Sequence, residues 1–139
     1  MPATISAAPA ATNALTLSRY ICDANQRYAA ALEITFRWHC DEASNDLRLA
    51  PEAAEVLNRF ILTIRNRSAR KARLEITFTH EHQNLAVSAR YMSSSTSAVD
   101  APLFEAALFD HGTESVRKRF TLSVESFAYW EEARLAFQN

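Results

Sequence analysis

A chain of 139 residues, 48% hydrophobic and 22% charged, can bury one real core, and it holds no apolar run near the roughly 18 residues a membrane helix needs. Its net charge of -1 supplies no global field for nucleic acid or an anionic membrane, so such a role would need a local patch. A single glycine, Gly112, rules out the GxGxxG and P-loop phosphate cradles, which depend on several glycines.

The first residues, MPATISAAPAATNA (1–14), are rich in Ala, Ser, Thr and Pro. They lack the basic start and apolar stretch of a secretory signal, and read as a flexible leader ahead of one domain at 15–139. Organellar import or bacterial export through that leader stays open as an alternative to a cytoplasmic location. Cys22 and Cys40 have no CxxC spacing and fit reduced thiols in a reducing compartment.

From residue 15 to 31, Leu17, Tyr20, Ile21, Ala24 and Tyr28 recur at helical spacing. LEITFRW then alternates Leu32, Ile34, Phe36 and Trp38 with polar residues, which predicts a half-buried strand. A polar loop leads to Pro51, well placed in a helix's first turn, with Glu52 and Glu55 near its positive end. Ala53, Val56, Leu57, Phe60, Ile61 and Ile64 form one apolar stripe, so this second helix is expected to run to about Ala69. Leu74, Ile76 and Phe78 alternate in the next strand. After a turn at HEHQN (80–84), Leu85, Val87, Ala89 and Tyr91 alternate in another, giving a hairpin with one wet face. MSSSTSAVDAP (92–102) reads as a mobile loop. A helical stretch broken near residues 110–112 follows, and then two strands, one with Phe120, Leu122 and Val124 and the other with Ala133, Leu135 and Phe137, linked by SFAYWEE. Trp38, Tyr91 and Trp130 are expected in the core or at its edge.

Helix, strand, helix, strand, strand, loop, helix, strand, strand is the order of an α/β (α+β) two-layer sandwich: a mainly antiparallel sheet with helices packed on one face. The stretch LAPEAAEVLNRFILTIRNRSARKARLEITF (49–78), preceded by LEITFRW and followed by LAVSARY, resembles the ATP-binding domain of sensor histidine kinases. That domain belongs to the Bergerat-fold (GHKL) superfamily, which also contains gyrase. The resemblance runs from residue 15 to 91 and more loosely over the tail. It implies a nucleotide pocket in which the helix presents a catalytic Glu or an amide, and four residues later an Asn that holds Mg²⁺.

At those two positions this sequence has Phe60 and Ile64, while Asn58 and Asn66 are eight residues apart. Where the family has an Asp-x-Gly motif whose carboxylate binds adenine, the text is Tyr91-Met92-Ser93. Without a Mg²⁺ ligand, adenine carboxylate or phosphate loop, phosphoryl transfer lacks positioning and charge neutralisation, so neither catalytic residues nor a cofactor are expected. The region around Phe60, Ile64, Tyr91, Met92 and Ser93 is then a degenerate pocket.

His80-Glu81 resembles the His-acid pair of a phosphoacceptor but falls in the predicted hairpin turn, where polar residues need no further explanation. His80 and His82, with His39-Cys40-Asp41-Glu42 at another strand end, lack the spacing of a dedicated metal site, and none is expected. Arg65, Arg67, Arg70, Lys71 and Arg73 put five cations where a helix ends and a strand begins. The helix dipole favours positive charge there, and a partner with an acidic face would find it attractive. The sequence thus points to a protein-binding regulator or adaptor in signalling, with no membrane span, nucleic acid disfavoured as a partner, and homo-oligomers left open. A divergent nucleotide- or small-ligand-binding domain of the same fold is the alternative. A secreted effector or small secretion chaperone is the third reading.

Overall fold

The computed structural model describes residues 15–40, 47–69, 72–81, 84–94, 100–110 and 112–138. The expected leader therefore lies outside the described residues, as do Arg70, Lys71, His82, Asp41 and Glu42.

The first helical layer opens at α1 (Leu17–Ala24), where the Thr16 hydroxyl accepts a hydrogen bond from the Arg19 amide at 3.3 Å and caps the free end. Leu17, Tyr20, Ile21 and Ala24 form its buried stripe. A π-helical turn (Asn25–Ala29) and α2 (Ala30–Leu32) continue it, so Leu32 ends a helix instead of opening a strand. Glu33 reverses the chain with φ 55° and ψ 45°, the one positive φ outside glycine among the described residues. A side chain in this left-handed region is strained by about 1 kcal/mol, and Glu33 is exposed. Glu33→Gly should therefore raise the melting temperature by about 2–4 °C. Thermal melts of the two proteins check this, and a lower melting point for the variant would show that the strain is relieved elsewhere.

Beyond Glu33 runs β2 (Ile34–Cys40), joined by α3 (Pro51–Arg67) to β4 (Leu74–Glu81), which pairs with β2 in parallel. A parallel pair needs such a crossover, and α3 supplies it. The short strands β1 (Leu15–Thr16) and β3 (Arg48–Leu49) pair with each other beside the entry to α3. Pro51 sits in the first turn of α3, Glu52 lies near its positive end, and Ser68 closes it through a hydrogen bond from its amide to the Ile64 carbonyl at 3.0 Å. The helix thus stops two residues short of Ala69.

Strand β5 (Asn84–Tyr91) returns antiparallel to β4. Next come α4 (Ala101–Leu108), a 3-10 helix (Glu114–Arg119), β6 (Phe120–Ser126) and β7 (Glu131–Gln138). The sheet order is β2-β4-β5-β7-β6, with only the β2–β4 pair parallel. Two-residue periodicity turns Leu74, Ile76 and Phe78 of β4, Leu85, Val87 and Ala89 of β5, and Ala133, Leu135 and Phe137 of β7 toward the buried stripes of α1 and α3. The result is the expected two-layer sandwich with a mainly antiparallel sheet and helices on one face.

Two local expectations give way. His80 lies inside β4 and is buried, because the strand continues through Glu81 and His80 pairs with Leu85 of β5. Trp38 is exposed although it has the inward register of Ile34 and Phe36, and it stands in the edge strand β2 near its end. The sole glycine is not required by its backbone: Gly112 has no positive φ, and a Cβ there would meet the nearest side-chain atom at an ordinary 3.5 Å.

Candidate functional site

The apolar stripe of α3 carries Phe60 and Ile64 straight into the core, and both are 0% exposed. Phe104 of α4 meets the Phe60 ring at a centroid separation of 6.1 Å, and Leu108, also in α4, is buried with them. Arg59 fastens the two helices together. Its guanidinium lies 2.7 Å from Asp110 and 3.3 Å from Glu55, and also reaches the Leu108 carbonyl and the Thr113 hydroxyl at 3.5 Å. The Thr113 hydroxyl donates to the Leu108 carbonyl at 3.0 Å, so the chain leaving α4 is tied back onto the end of α4, where Arg59 of α3 reaches both groups. Hydrogen bonds to Asp110 and Glu55 hold the Arg59 pKa above its ordinary value, although burial works against this.

Where β5 ends, Tyr91 is 3% exposed and its hydroxyl donates to the Glu131 carboxylate at 2.8 Å. Arg67, in the last turn of α3, grips the same carboxylate in bidentate fashion at 2.9 and 2.6 Å. Glu131 is 2% exposed, and a charge so buried persists only when it is paired and hydrogen-bonded. Burial alone would raise its pKa, but the donors Arg67 and Tyr91 outweigh that and leave it below the usual carboxylate range. Burial, then the neighbouring Glu131 carboxylate, push the Tyr91 phenol well above its ordinary value. Around this network the backbone is stitched as well. Ala69 donates to the Met92 carbonyl at 2.7 Å, Ser94 donates to the Arg67 carbonyl at 2.8 Å, and Ser68 and Ser93 form an isolated antiparallel bridge.

The residues singled out as a degenerate pocket thus have different fates. Phe60, Ile64 and Tyr91 are core residues, Ser93 joins the bridge beside α3, and Met92 is 58% exposed. A side chain with no accessible surface offers no contact to a ligand, so neither Phe60 nor Ile64 lines an open pocket. Asn58 is engaged too: it accepts a 2.7 Å hydrogen bond from the Tyr20 hydroxyl.

The cationic stretch also divides. Arg67 spends its guanidinium on Glu131, while Arg65 donates to the Ser68 hydroxyl at 3.3 Å and the Ala72 carbonyl at 3.2 Å, satisfying groups at the helix end. Arg73 is exposed and forms no ion pair with another described residue. Among the described residues, no three His, Cys, Asp or Glu side chains lie close enough together to hold a metal ion.

Sequence reasoning missed Glu131 and gained nothing from SFAYWEE. A signal for Glu131 was available. It has the inward register of Ala133, Leu135 and Phe137, and an acid on a buried stripe demands a cation, which the end of the facing helix supplies.

No protein-family profile matches the sequence. A search of curated proteins by sequence finds no match either. The fold itself has clear counterparts. The nucleotide-free catalytic domain of the histidine kinase ThkA superposes with a TM-score of 0.57 at 14% identity, covering 90% of this chain and 94% of that one. The Acinetobacter baumannii histidine kinase AdeS gives a TM-score of 0.60 at 10% identity, over 90% of this chain and 66% of that one. ThkA in complex with the response regulator protein TrrA matches with a TM-score of 0.50 at 14% identity, over 89% of this chain and 40% of that one. The chain therefore has the fold of the ATP-binding catalytic domain of sensor histidine kinases, as the text of residues 49–78 suggested. At such identities the likeness extends to the fold alone.

Proposed function

We propose that this domain is a non-catalytic, protein-binding regulator or adaptor of a bacterial signalling system, working in the cytoplasm on the scaffold of a kinase ATPase domain. The observation that supports this reading is the burial of Phe60 and Ile64, which the register inferred from residues 49–78 sets against the acid or amide and the Mg²⁺ ligand of the resembled family. Removing those groups takes away the metal that neutralises a transferring phosphoryl group, and placing a ring and an aliphatic chain there fills the volume. Binding to other proteins is a use of the fold that survives such a loss. One structural neighbour is a kinase held in complex with a response regulator. No described helix is long and apolar enough to cross a membrane.

Among the cations proposed for partner contact, Arg73 has its charge free of any described carboxylate, while Arg65 and Arg67 support the surface from within. Arg70 and Lys71 adjoin it in sequence.

Thermal unfolding with and without millimolar ATP or ADP and Mg²⁺ tests the reading. A ligand at 100 times its dissociation constant would stabilise the domain by about 2.7 kcal/mol, an upward shift of several degrees. The expected result is no shift. A clear shift would establish the nucleotide-binding alternative and require another site.

A further inference from the structure

At the end of the sheet where Arg73 stands, the β6–β7 hairpin presents a group of aromatic side chains. Phe127 and Trp130 stack at a centroid distance of 3.9 Å, and a hydrogen bond from the Phe127 amide to the Trp130 carbonyl at 2.8 Å closes the turn. The Arg90 guanidinium lies 4.1 Å from the Trp130 centroid, making a three-layer stack, and Tyr129 at the tip is 83% exposed. Met92 belongs to the same end, since Tyr91 pairs with Glu131 in the β5–β7 ladder.

Next to this stack is an open depression of about 390 Å³, whose charged lining is Arg73, Glu75, Arg90 and Glu132. Glu75 is already paired with Arg37 at 2.7 Å, and Glu132 faces Arg90 at 3.7 Å. Arg73 is the one of these four with no ion pair to a described residue, so it offers a place for a single carboxylate. Aromatic residues and Arg, brought together on an exposed surface, are the side chains that supply most of the energy at protein interfaces. Side chains already held against one another, as Phe127, Trp130 and Arg90 are, lose less freedom when a partner settles on them.

We propose that the β6–β7 tip (Phe127, Tyr129, Trp130), with Met92 and the Arg73–Arg90 depression, docks an acidic peptide segment of a partner protein that carries an apolar or aromatic anchor beside a carboxylate. The anchor lies against Tyr129 and the Phe127–Trp130 stack, and the carboxylate enters the depression toward Arg73. Nucleic acid and anionic membranes fit less well, because one unpaired cation can meet a single carboxylate but cannot hold a run of phosphates. This proposal rests on the protein-binding reading above and names the site and the chemistry of the partner.

The test is selection of a phage-displayed random peptide library on the whole chain, followed by fluorescence anisotropy with the selected peptides, an oligo-dT strand, and phosphatidylcholine–phosphatidylserine vesicles. Enrichment of Asp and Glu beside Leu, Phe or Tyr is expected, with binding weakened about tenfold by Tyr129→Ala and again by Arg73→Ala. Tyr129 is too exposed for its loss to threaten the fold, and melting of each variant verifies this; should Tyr129→Ala melt early, Arg73→Ala carries the test. No enrichment, enrichment of basic or uncharged peptides, binding indifferent to both substitutions, or preference for oligo-dT or vesicles would each overturn the proposal. Melting with ATP or ADP on the same samples tells apart the two failures: a nucleotide shift counts against the non-catalytic reading, whereas peptide failure without a shift counts only against this surface.

Discussion

Glu131→Ala should lower the melting temperature at neutral pH by about 10–20 °C. Removing one partner of a buried ion pair costs about 3–5 kcal/mol, because the charge left behind keeps its desolvation penalty and loses its compensation. Here the abandoned group is Arg67, held at the end of α3 with Tyr91 beside it, whose hydroxyl also loses its acceptor. The double variant Arg67→Met with Glu131→Leu should recover much of the loss, since an apolar pair of similar volume can replace a buried ion pair nearly neutrally. The sign of the pH dependence follows from the lowered pKa of Glu131. A carboxylate depressed in the folded state contributes stability that is complete above its unfolded value of about 4.3 and disappears as pH falls through the folded value. Acid melts of the parent should therefore steepen below about pH 4.3, and those of the double variant should not. If Glu131→Ala melts within a degree or two of the parent, the network does not bear on stability.

Phe60→Ala is the second large effect. The ring is fully buried between α3 and α4 and meets Phe104, and deleting such a ring costs about 3–5 kcal/mol, made up of lost transfer energy and the cavity left behind. Phe60→Leu keeps most of the volume and should cost about 1 kcal/mol. Urea unfolding of the three proteins provides the comparison. A loss under about 1 kcal/mol for Phe60→Ala would mean that α4 collapses into the space, contrary to the anchoring of α4 by Arg59, Asp110 and Thr113. The role assigned to Phe60 is then measured directly: a side chain that fills a pocket supports the core, while one that lines an open pocket can be trimmed at little cost.

Periodicity made most of this architecture legible. The stripe from Ala53 to Ile64 and the alternations in β4, β5, β6 and β7 each have a single solution once one face must be buried. Boundaries were less legible where tertiary pairing overrides local text. Leu32 looks like the first residue of a strand but completes a helix, and His80 looks like a turn residue but is paired across to β5. The burial of Phe60 and Ile64 could be read because their local register on α3 fixes their direction. Glu131 could not be assigned a role from its own neighbourhood, since its partner lies sixty-four residues away in α3. The stacking of Phe127 on Trp130 and of Arg90 on Trp130 is likewise a product of the hairpin and the β5–β7 ladder, which no local pattern encodes. Trp38 shows the limit from the other side: the alternation puts it inward, yet it is half-exposed near the end of the edge strand.

The strand order β2-β4-β5-β7-β6 also bears on how the chain is made. Strand β7 comes last in sequence among the described strands, yet it stands between β5 and β6. A polypeptide emerging from the ribosome N-terminus first can assemble the hairpin of β4 and β5 early, but β6 then has no neighbour to join. Until residues 131–138 emerge, the inner edge of β5 and all of β6 remain open to any other strand nearby, and Arg67 waits without its carboxylate. The strand that supplies the buried acid is the same strand that joins β5 to β6, so the nascent domain acquires the Arg67–Glu131 pair and covers the free side of β5 in a single step, with β2 and β6 left as the outer strands.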